Sequence, residues 1–339
     1  MSHHFFLTGA TGYIGGDILH EIVANFPRSS IIALVRDKAK AAPIEEKYSQ
    51  VTLLQGDLDS ASLIEDQAAR ADVVINAANA KYLPTVQSIC KGVLQSSKDK
   101  PTLWLQISGA SLLSVPDIKH KSFGEASEKV YDDLVNTDEI RQLIDTTSSR
   151  TVDQAILNFA RVHATKVKTA LIFPPIIYGL GRGQGNKRSI QIPTLCNAAI
   201  KQHESIFVGR GEARWGNVHV ADLSGLIGKL TEAGLDSDSP EHLWNENGIY
   251  FPATGEITWK SIAGHIAQAA GKRNIEARVE SITAEQADQF SPHGSVLFGT
   301  NARSKPSRGH EFLKYKATQH TLEDEIPITF ARELEITDA

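Results

Sequence analysis

Scarcity narrows the reading of this chain first. Among its 339 residues are two cysteines, Cys90 and Cys196. They fall on expected helices far apart in sequence, so they read as reduced core fillers, not as a disulfide or a metal site. No His, Cys or acidic spacing matches a metal-ligand pattern, and no metal is expected. No apolar run approaches the length of a membrane span, and no repeat or low-complexity tract interrupts the chain. A basic excess is also missing: 35 lysines and arginines against 40 aspartates and glutamates leave a net charge of -5. That balance argues against nucleic acid as a partner, because phosphate binding needs a basic face. The first strand is expected within a few residues of Met1. No room is left there for a secretory leader, and a cytoplasmic location is the expectation.

What is present is glycine in a telling place. In HFFLTGATGYIGG, His4 to Gly16, the residues Phe5, Phe6 and Leu7 fit a strand buried on both faces. Tyr13 to Ala24 read as a helix with Ile14, Ile18, Leu19, Ile22 and Val23 on one side. Gly9, Gly12 and Gly15 lie between them as G-x-x-G-x-x-G. Glycines there allow a tight turn and close backbone approach, and a helix N-terminus favours a pyrophosphate. The trio alone is weak evidence; between a strand and a helix at the start of a βαβ unit it becomes strong.

The alternation continues. Strands are expected at Ser30–Val35, Val51–Leu54, Asp72–Ala78, Thr102–Ser108 and Lys168–Phe173, with helices at Ala61–Ala69, Leu83–Ser96 and Thr151–His163. This predicts an α/β fold, a Rossmann-type doubly wound parallel sheet with helices on both faces. After Pro174 the rhythm breaks into a glycine-rich basic loop, Tyr178 to Arg188. A helix near Ile192–Gln202, a strand at Ser205–Val208, a helix at Ala221–Ala233 and a strand at Gly248–Phe251 follow. Helices at Trp259–Gly271 and Leu322–Leu334 close the chain. The division drawn is a dinucleotide-binding domain over 1–178, with 216–252 returning to it. Residues 179–215 and 253–335 form a smaller C-terminal substrate-binding lobe capping the strand ends, where ligands of open α/β sheets bind. Ser114 to Ser149 is polar and reads as a segment wrapped over the cleft.

These residues resemble the extended short-chain dehydrogenase/reductases, the NAD-dependent epimerase/dehydratase-like family. The likeness runs nearly end to end: TGATGYIGG at the nucleotide-binding turn, Gly56-Asp57-Leu58, Asn76-Ala77-Ala78, Pro174 to Gly179, and Trp215 to Leu223 with its His-Val-x-Asp stretch. The resemblance implies a nicotinamide dinucleotide. Gly9, Thr11, Gly12, Tyr13 and Ile14 would hold the phosphates, Asp57 and Leu58 would sit near adenine, and Ala77, Ala78, Pro175 and Ile176 would lie along the cofactor. After the second strand comes Arg36, which suits the 2′-phosphate of NADP; Asp37 next to it suits the ribose of NAD. NADP is preferred, with NAD as the alternative.

The family's hydride-moving members use a tyrosine, a lysine four residues later, and a serine. Ser108 matches the serine, with Ser111 as a second candidate. None of the seven tyrosines has a lysine four residues on. Thr146 and Arg150 have the spacing; Arg150 could keep the electrostatic role but cannot act as a base. Ser149 and Asp153 are other occupants of that helix start. Tyr131 and Tyr178 are candidates for a displaced proton donor. Arg182, Lys187 and Arg188 are open to an anionic substrate, with ordinary solvation as the default. The function expected is an NAD(P)-dependent oxidoreductase acting on a small carbonyl or alcohol, with a non-standard proton donor. The alternatives are a non-redox epimerase, dehydratase, isomerase or lyase, or a dinucleotide-sensing regulator. A small-molecule substrate and a homodimer are the expected partners.

Overall fold

A computed structural model describes residues 2–338. The first half of the order is β1 (His4–Thr8), α1 (Tyr13–Asn25), β2 (Ser30–Val35), α2 (Lys38–Lys47), β3 (Val51–Gln55), α3 (Ala61–Arg70), β4 (Val73–Asn76), α4 (Leu83–Gln95), β5 (Thr102–Ile107), α5 (Val115–His120), β6 (Tyr131–Asp132), α6 (Thr137–Thr146), α7 (Thr151–Val162) and β7 (Val167–Ile172). Then come β8 (Ile176–Tyr178), α8 (Gln191–Gln202), β9 (Glu204–Val208), β10 (Arg214–His219), α9 (Val220–Leu235), β11 (Ile249–Tyr250), β12 (Gly255–Thr258), α10 (Trp259–Gly271), β13 (Arg278–Ile282), α11 (Ala284–Phe290), α12 (Gly294–Gly299), β14 (Ser304–Lys305), α13 (Ser307–Leu313) and α14 (Leu322–Asp338).

Seven strands form one sheet in the order β11-β7-β5-β4-β1-β2-β3, and every pairing is parallel. The order reverses at β1, so the crevice beyond its carboxyl end, between β1 and β4, is the topological switch point where ligands of such sheets bind. The strands are apolar on both faces. Phe5, Leu7, Ile31, Ala33, Val73, Ile75, Leu103 and Leu105 pack with α1 and α9, while Phe6, Val74, Trp104 and Leu171 pack with α3, α4 and α7. Alternate residues of one strand thus feed two separate cores.

The chain beyond β7 builds smaller sheets. In one, β10 runs parallel to β8 and antiparallel to β12. In another β9 pairs with β13, and α8, α10 and α14 pack around them. Meanwhile α9 lies on α1 and β11 joins the edge of the main sheet. Among the described residues, no helix is long and apolar enough to cross a membrane.

Several parts differ from the sequence reading, among them the short elements β12 to α13 around the expected Trp259–Gly271 helix and after it. Helix α2 was not foreseen: Pro43 sits inside it and only Ala41 and Ile44 are buried, so its apolar pattern is faint. Strand β10 is an addition: Trp215 to His219 do lead straight into a helix, α9, but they first pair with β8 and β12. The segment 114–149 is more than a polar wrap, and none of its residues lines the cleft at the glycine turn. It folds into α5, β6 and α6, with β6 paired to β14 and Ile140 and Ile144 fully buried from α6. Its polarity misled because Asp117, Asp133 and Thr137 are buried and satisfied by hydrogen bonds.

Candidate active site

The turn after β1 is made of bare backbone. Gly9 has φ +83°, and a Cβ there would stand 2.7 Å from the Ala77 carbonyl. Only glycine brings the ends of β1 and β4 this close. Gly12 donates to the Gly9 carbonyl at 2.9 Å and caps α1 without any side-chain acceptor. The first amides of α1, at Tyr13 and Ile14, therefore keep no side-chain partner among the described residues, and the positive end of the helix dipole is open to an anion. Beneath this turn Thr8 donates to Asn76 at 2.6 Å and Asn76 to Gln106 at 3.0 Å, a fully buried relay across β1, β4 and β5. It fixes the strand ends that carry the turn.

A cleft of about 320 Å³ runs from there over the carboxyl ends of β2 and β3. Gly9, Thr11, Gly12, Ala77 and Ala78 line one end, and Arg36, Asp57 and Leu58 the other. Sequence reasoning missed Leu34 and Asn79, which also line it. Asp37 is engaged elsewhere: it caps α2 by accepting from the Lys40 amide at 3.2 Å, and Lys40 Nζ stands 3.8 Å from it. Arg36 is exposed on the cleft and has no ion pair among the described residues. Asp57 accepts from Ser60 Oγ at 2.9 Å and from the Asp59 amide at 3.0 Å. The Ser60 bond chiefly holds its carboxyl below the usual range. The residues thus fit a dinucleotide: uncapped amides for the phosphates, and a free arginine beside the ribose end.

Along the same strand edge, past β5, lies a polar cluster. Ser108 Oγ is 3.0 Å from Asp153 Oδ2. Arg150, which caps α7, donates to the Gly109 carbonyl at 3.2 Å and to Ser111 Oγ at 2.9 Å. It stands 3.7 Å from Asp153. Asp153 is 2% exposed, and burial pushes its carboxyl up to about 6 against the pull of Arg150 and Ser108. Asp153 was one of several candidate occupants in the sequence; its contact with Ser108, 45 residues away, has no local signature.

The structure does not bring the tyrosines into that cluster. Tyr178 is buried, donates to the His320 carbonyl at 2.8 Å, and packs edge-on to His219; burial raises its hydroxyl. Tyr131 sits on the β6–β14 ladder with Lys129 Nζ 4.8 Å from its ring centre. Its hydroxyl has no hydrogen bond to Ser108, Arg150 or Asp153 among the described residues. Pro175 and Ile176 are buried where β8 meets β10, outside the cleft lining. Tyr13 donates from its hydroxyl to the Gly179 carbonyl at 2.7 Å, while Ile14 is half-buried on α1.

The glycine-rich loop returns to the nucleotide turn. The Asn186 amide donates to the Thr11 carbonyl at 2.9 Å, and Gly183 lies against Gly16 so closely that a Cβ would be 2.7 Å from its backbone. Arg182 reaches the fully buried Asp17 at 2.6 Å and Glu21 at 3.1 Å. Arg188 binds Glu333 through two nitrogens, at 2.7 and 2.8 Å. Both arginines therefore hold internal acids. His219, His320 and Glu325 lie within metal-binding distance of one another. The donor set does not fit a metal, because His219 Nδ1 accepts the Ala221 amide at 3.1 Å as a helix cap. A neutral ring then carries its proton on Nε2.

A parallel sheet with this strand order, a glycine turn on its first helix and a cleft at its switch point define a dinucleotide-binding α/β protein. The chain belongs to the extended short-chain dehydrogenase/reductases, the NAD(P)-binding, epimerase/dehydratase-like family. A family model described as NAD(P)H-binding matches residues 9–156. The chain is 30% identical to "Oxidase ucsJ" of Acremonium sp over 99% of each chain, and 24% identical to an uncharacterized protein of Schizosaccharomyces pombe over 94% of this chain and 96% of that one. Its fold is similar to dTDP-glucose 4,6-dehydratase of Streptomyces venezuelae, solved with NAD and TYD bound, at TM-score 0.66 and 14% identity, covering 98% and 97%. It is also similar to UDP-glucose 4-epimerase of Thermotoga maritima, at TM-score 0.63 and 12% identity, covering 99% and 100%.

Proposed function

We propose that this chain is an NADP-preferring oxidoreductase that moves hydride between the nicotinamide and the carbonyl or carbinol carbon of a small organic molecule. One observation carries the reading. The charged side chain free on the cleft at the end of β2 is Arg36, and a serine-centred polar cluster stands at the other end of the same strand edge. The bound dinucleotide supplies the hydride chemistry. Arg36 forks onto the 2′-phosphate, the amides of Tyr13 and Ile14 hold the pyrophosphate, and Ser108 orients the substrate oxygen. Arg150 fixes the loop that carries Ser108 and Ser111. The relative named an oxidase supports net redox chemistry.

Titration calorimetry with NADP+ and NAD+ tests the cofactor, with tighter NADP+ binding expected. Turnover of an aldehyde and ketone panel with NADPH tests the reaction: absorbance of the reduced nicotinamide should fall in step with product. The absence of a tyrosine-lysine pair favours a second reading, a reaction without net redox on the same scaffold. Product formed at constant nicotinamide absorbance would select it.

A further inference from the structure

The cluster behind Ser108 contains an acid that the tyrosine-based chemistry of the family does not require. Asp153 is enclosed on the first turn of α7, 2% exposed. One of its oxygens faces Ser108 Oγ at 3.0 Å; the other, Oδ1, is buried without a hydrogen-bond partner among the described residues. An ionised carboxylate in that position leaves a charged oxygen with no donor, which costs far more than leaving a neutral carbonyl oxygen there.

Arg150 is the one charged group that acts on it among the described residues. Its closest donors are turned to Gly109 and Ser111, so it meets the carboxyl only as a longer ion pair at 3.7 Å, and its pull toward the ionised form is smaller than the opposing effect of burial. The facing strand end, β5, brings only Ser108 to the carboxyl. Both protonation states are therefore within reach. Ser108 itself lies two residues past Gln106, the register partner of Asn76 at the end of β4. That places it on the edge where Ala77 and Ala78 line the cleft.

We propose that Asp153 is the proton store of this site and works through Ser108, so that a serine-carboxyl relay takes the place of a tyrosine. The proposal rests on the dinucleotide-dependent reading above. In the reducing direction the protonated carboxyl donates through Oδ2 to Ser108 Oγ, and Ser108 donates its own hydrogen to the substrate oxygen. As hydride arrives at the carbonyl carbon from the reduced nicotinamide dinucleotide, the C=O π bond opens. A new C–H bond and a new O–H bond form, and the Asp153 proton moves onto Ser108. In the oxidising direction the carbinol O–H breaks, its proton passes to Ser108 as the serine proton moves to Asp153, and the carbinol hydrogen leaves as hydride to the oxidised dinucleotide. Atoms and charge balance in both directions. Asp153 does not touch substrate; it is a positioning and proton-holding residue behind Ser108.

The test uses the full chain and reads the carboxyl directly. Difference infrared spectra across pH 4 to 8 should show a protonated-carboxyl band titrating near 6, the value that burial sets for Asp153, beside that of the buried Asp133, which burial raises to about 7; Asp153→Asn should lose the first and keep the second. Ser108→Ala removes a donor to the ionised form, so the same band should persist with a higher midpoint. Ser108→Ala also serves where the Asn variant fails to fold. A midpoint at the ordinary aspartate value of about 4, or no such band, overturns the proposal.

The second readout is the pH profile of NADPH-dependent carbonyl reduction. The wild-type profile should fall above about pH 6. Asp153→Asn should flatten that limb and slow turnover by about 10²- to 10⁴-fold, the usual contribution of general acid catalysis. An unchanged limb overturns the proposal. Calorimetry with NADP+ separates the two readings. A wild-type chain that shows the band but takes up neither NADP+ nor NAD+ defeats the oxidoreductase reading, and with it the substrate step. One that binds NADP+ and lacks the band defeats only the relay.

Discussion

The two ends of the cleft are made of different material. At the phosphate end nearly everything is main chain: a glycine turn, uncapped amides, and strand ends braced by Thr8, Asn76 and Gln106. At the chemistry end it is side chain: Ser108, Ser111, Arg150 and Asp153, assembled from β5, the loop after it and α7. Backbone recognition tolerates sequence change as long as the path of the chain is kept. A side-chain cluster is altered by single substitutions. On the function proposed above, the half that would bind rests on the path of the backbone and the half that would react is free to diverge, which is how one scaffold can host several reactions.

The sharpest way to break the contrast is at the phosphate end. Gly9→Val puts a branched side chain at φ +83° against the Ala77 backbone, and dinucleotide binding should be abolished in calorimetry along with a marked fall in Tm. Next in size is Arg182→Met, which leaves the fully buried Asp17 without its closest cation. Urea unfolding should show a loss of about 3 kcal/mol.

Asp153 gives a pH-dependent effect of similar or smaller size. Burial pushes its folded carboxyl up to about 6 from the ordinary 3.8, so between these the folded state binds more protons than the unfolded chain. Stability then falls as pH rises through that window, by up to about 3 kcal/mol, and levels off above it. Asp153→Asn should remove that slope in urea titrations at pH 4 and pH 7. The smallest effect sharpens cofactor choice. Arg36→Ala should weaken NADP+ by about 10-fold, the worth of a charge-assisted hydrogen bond, with NAD+ nearly unchanged by calorimetry.

Legibility in the sequence follows the same division. The strands of the main sheet were readable because residues such as Phe5 to Leu7 are apolar on both faces, and the turn because its glycines recur every third residue within one short stretch. Arg36 was readable because it directly follows a strand. The chemistry end was only partly so. Ser108 has its strand to mark it, but its partner Asp153 lies on another element, and only the folded chain decides which of several polar residues at the start of α7 meets it. Tyr178 illustrates the converse: it stands beside a promising motif, yet its hydroxyl is committed to the His320 carbonyl, 142 residues away. Helix α6 was missed although Ile140 and Ile144 carry the right spacing, because the surrounding polar residues diluted it.

The reach of Arg182 to Asp17 across 165 residues bears on how the chain can be cut. The recognised nucleotide-binding unit stops at 156, short of β7, which pairs with β5 along its whole length, and of the arginine that neutralises the first helix. A fragment ending there would keep a solvent-sealed carboxylate on α1 with its guanidinium amputated, and an open seam along β5. The cassette that looks modular on paper is sutured to its downstream neighbour, and grafting it elsewhere requires carrying the stitch at 182 along.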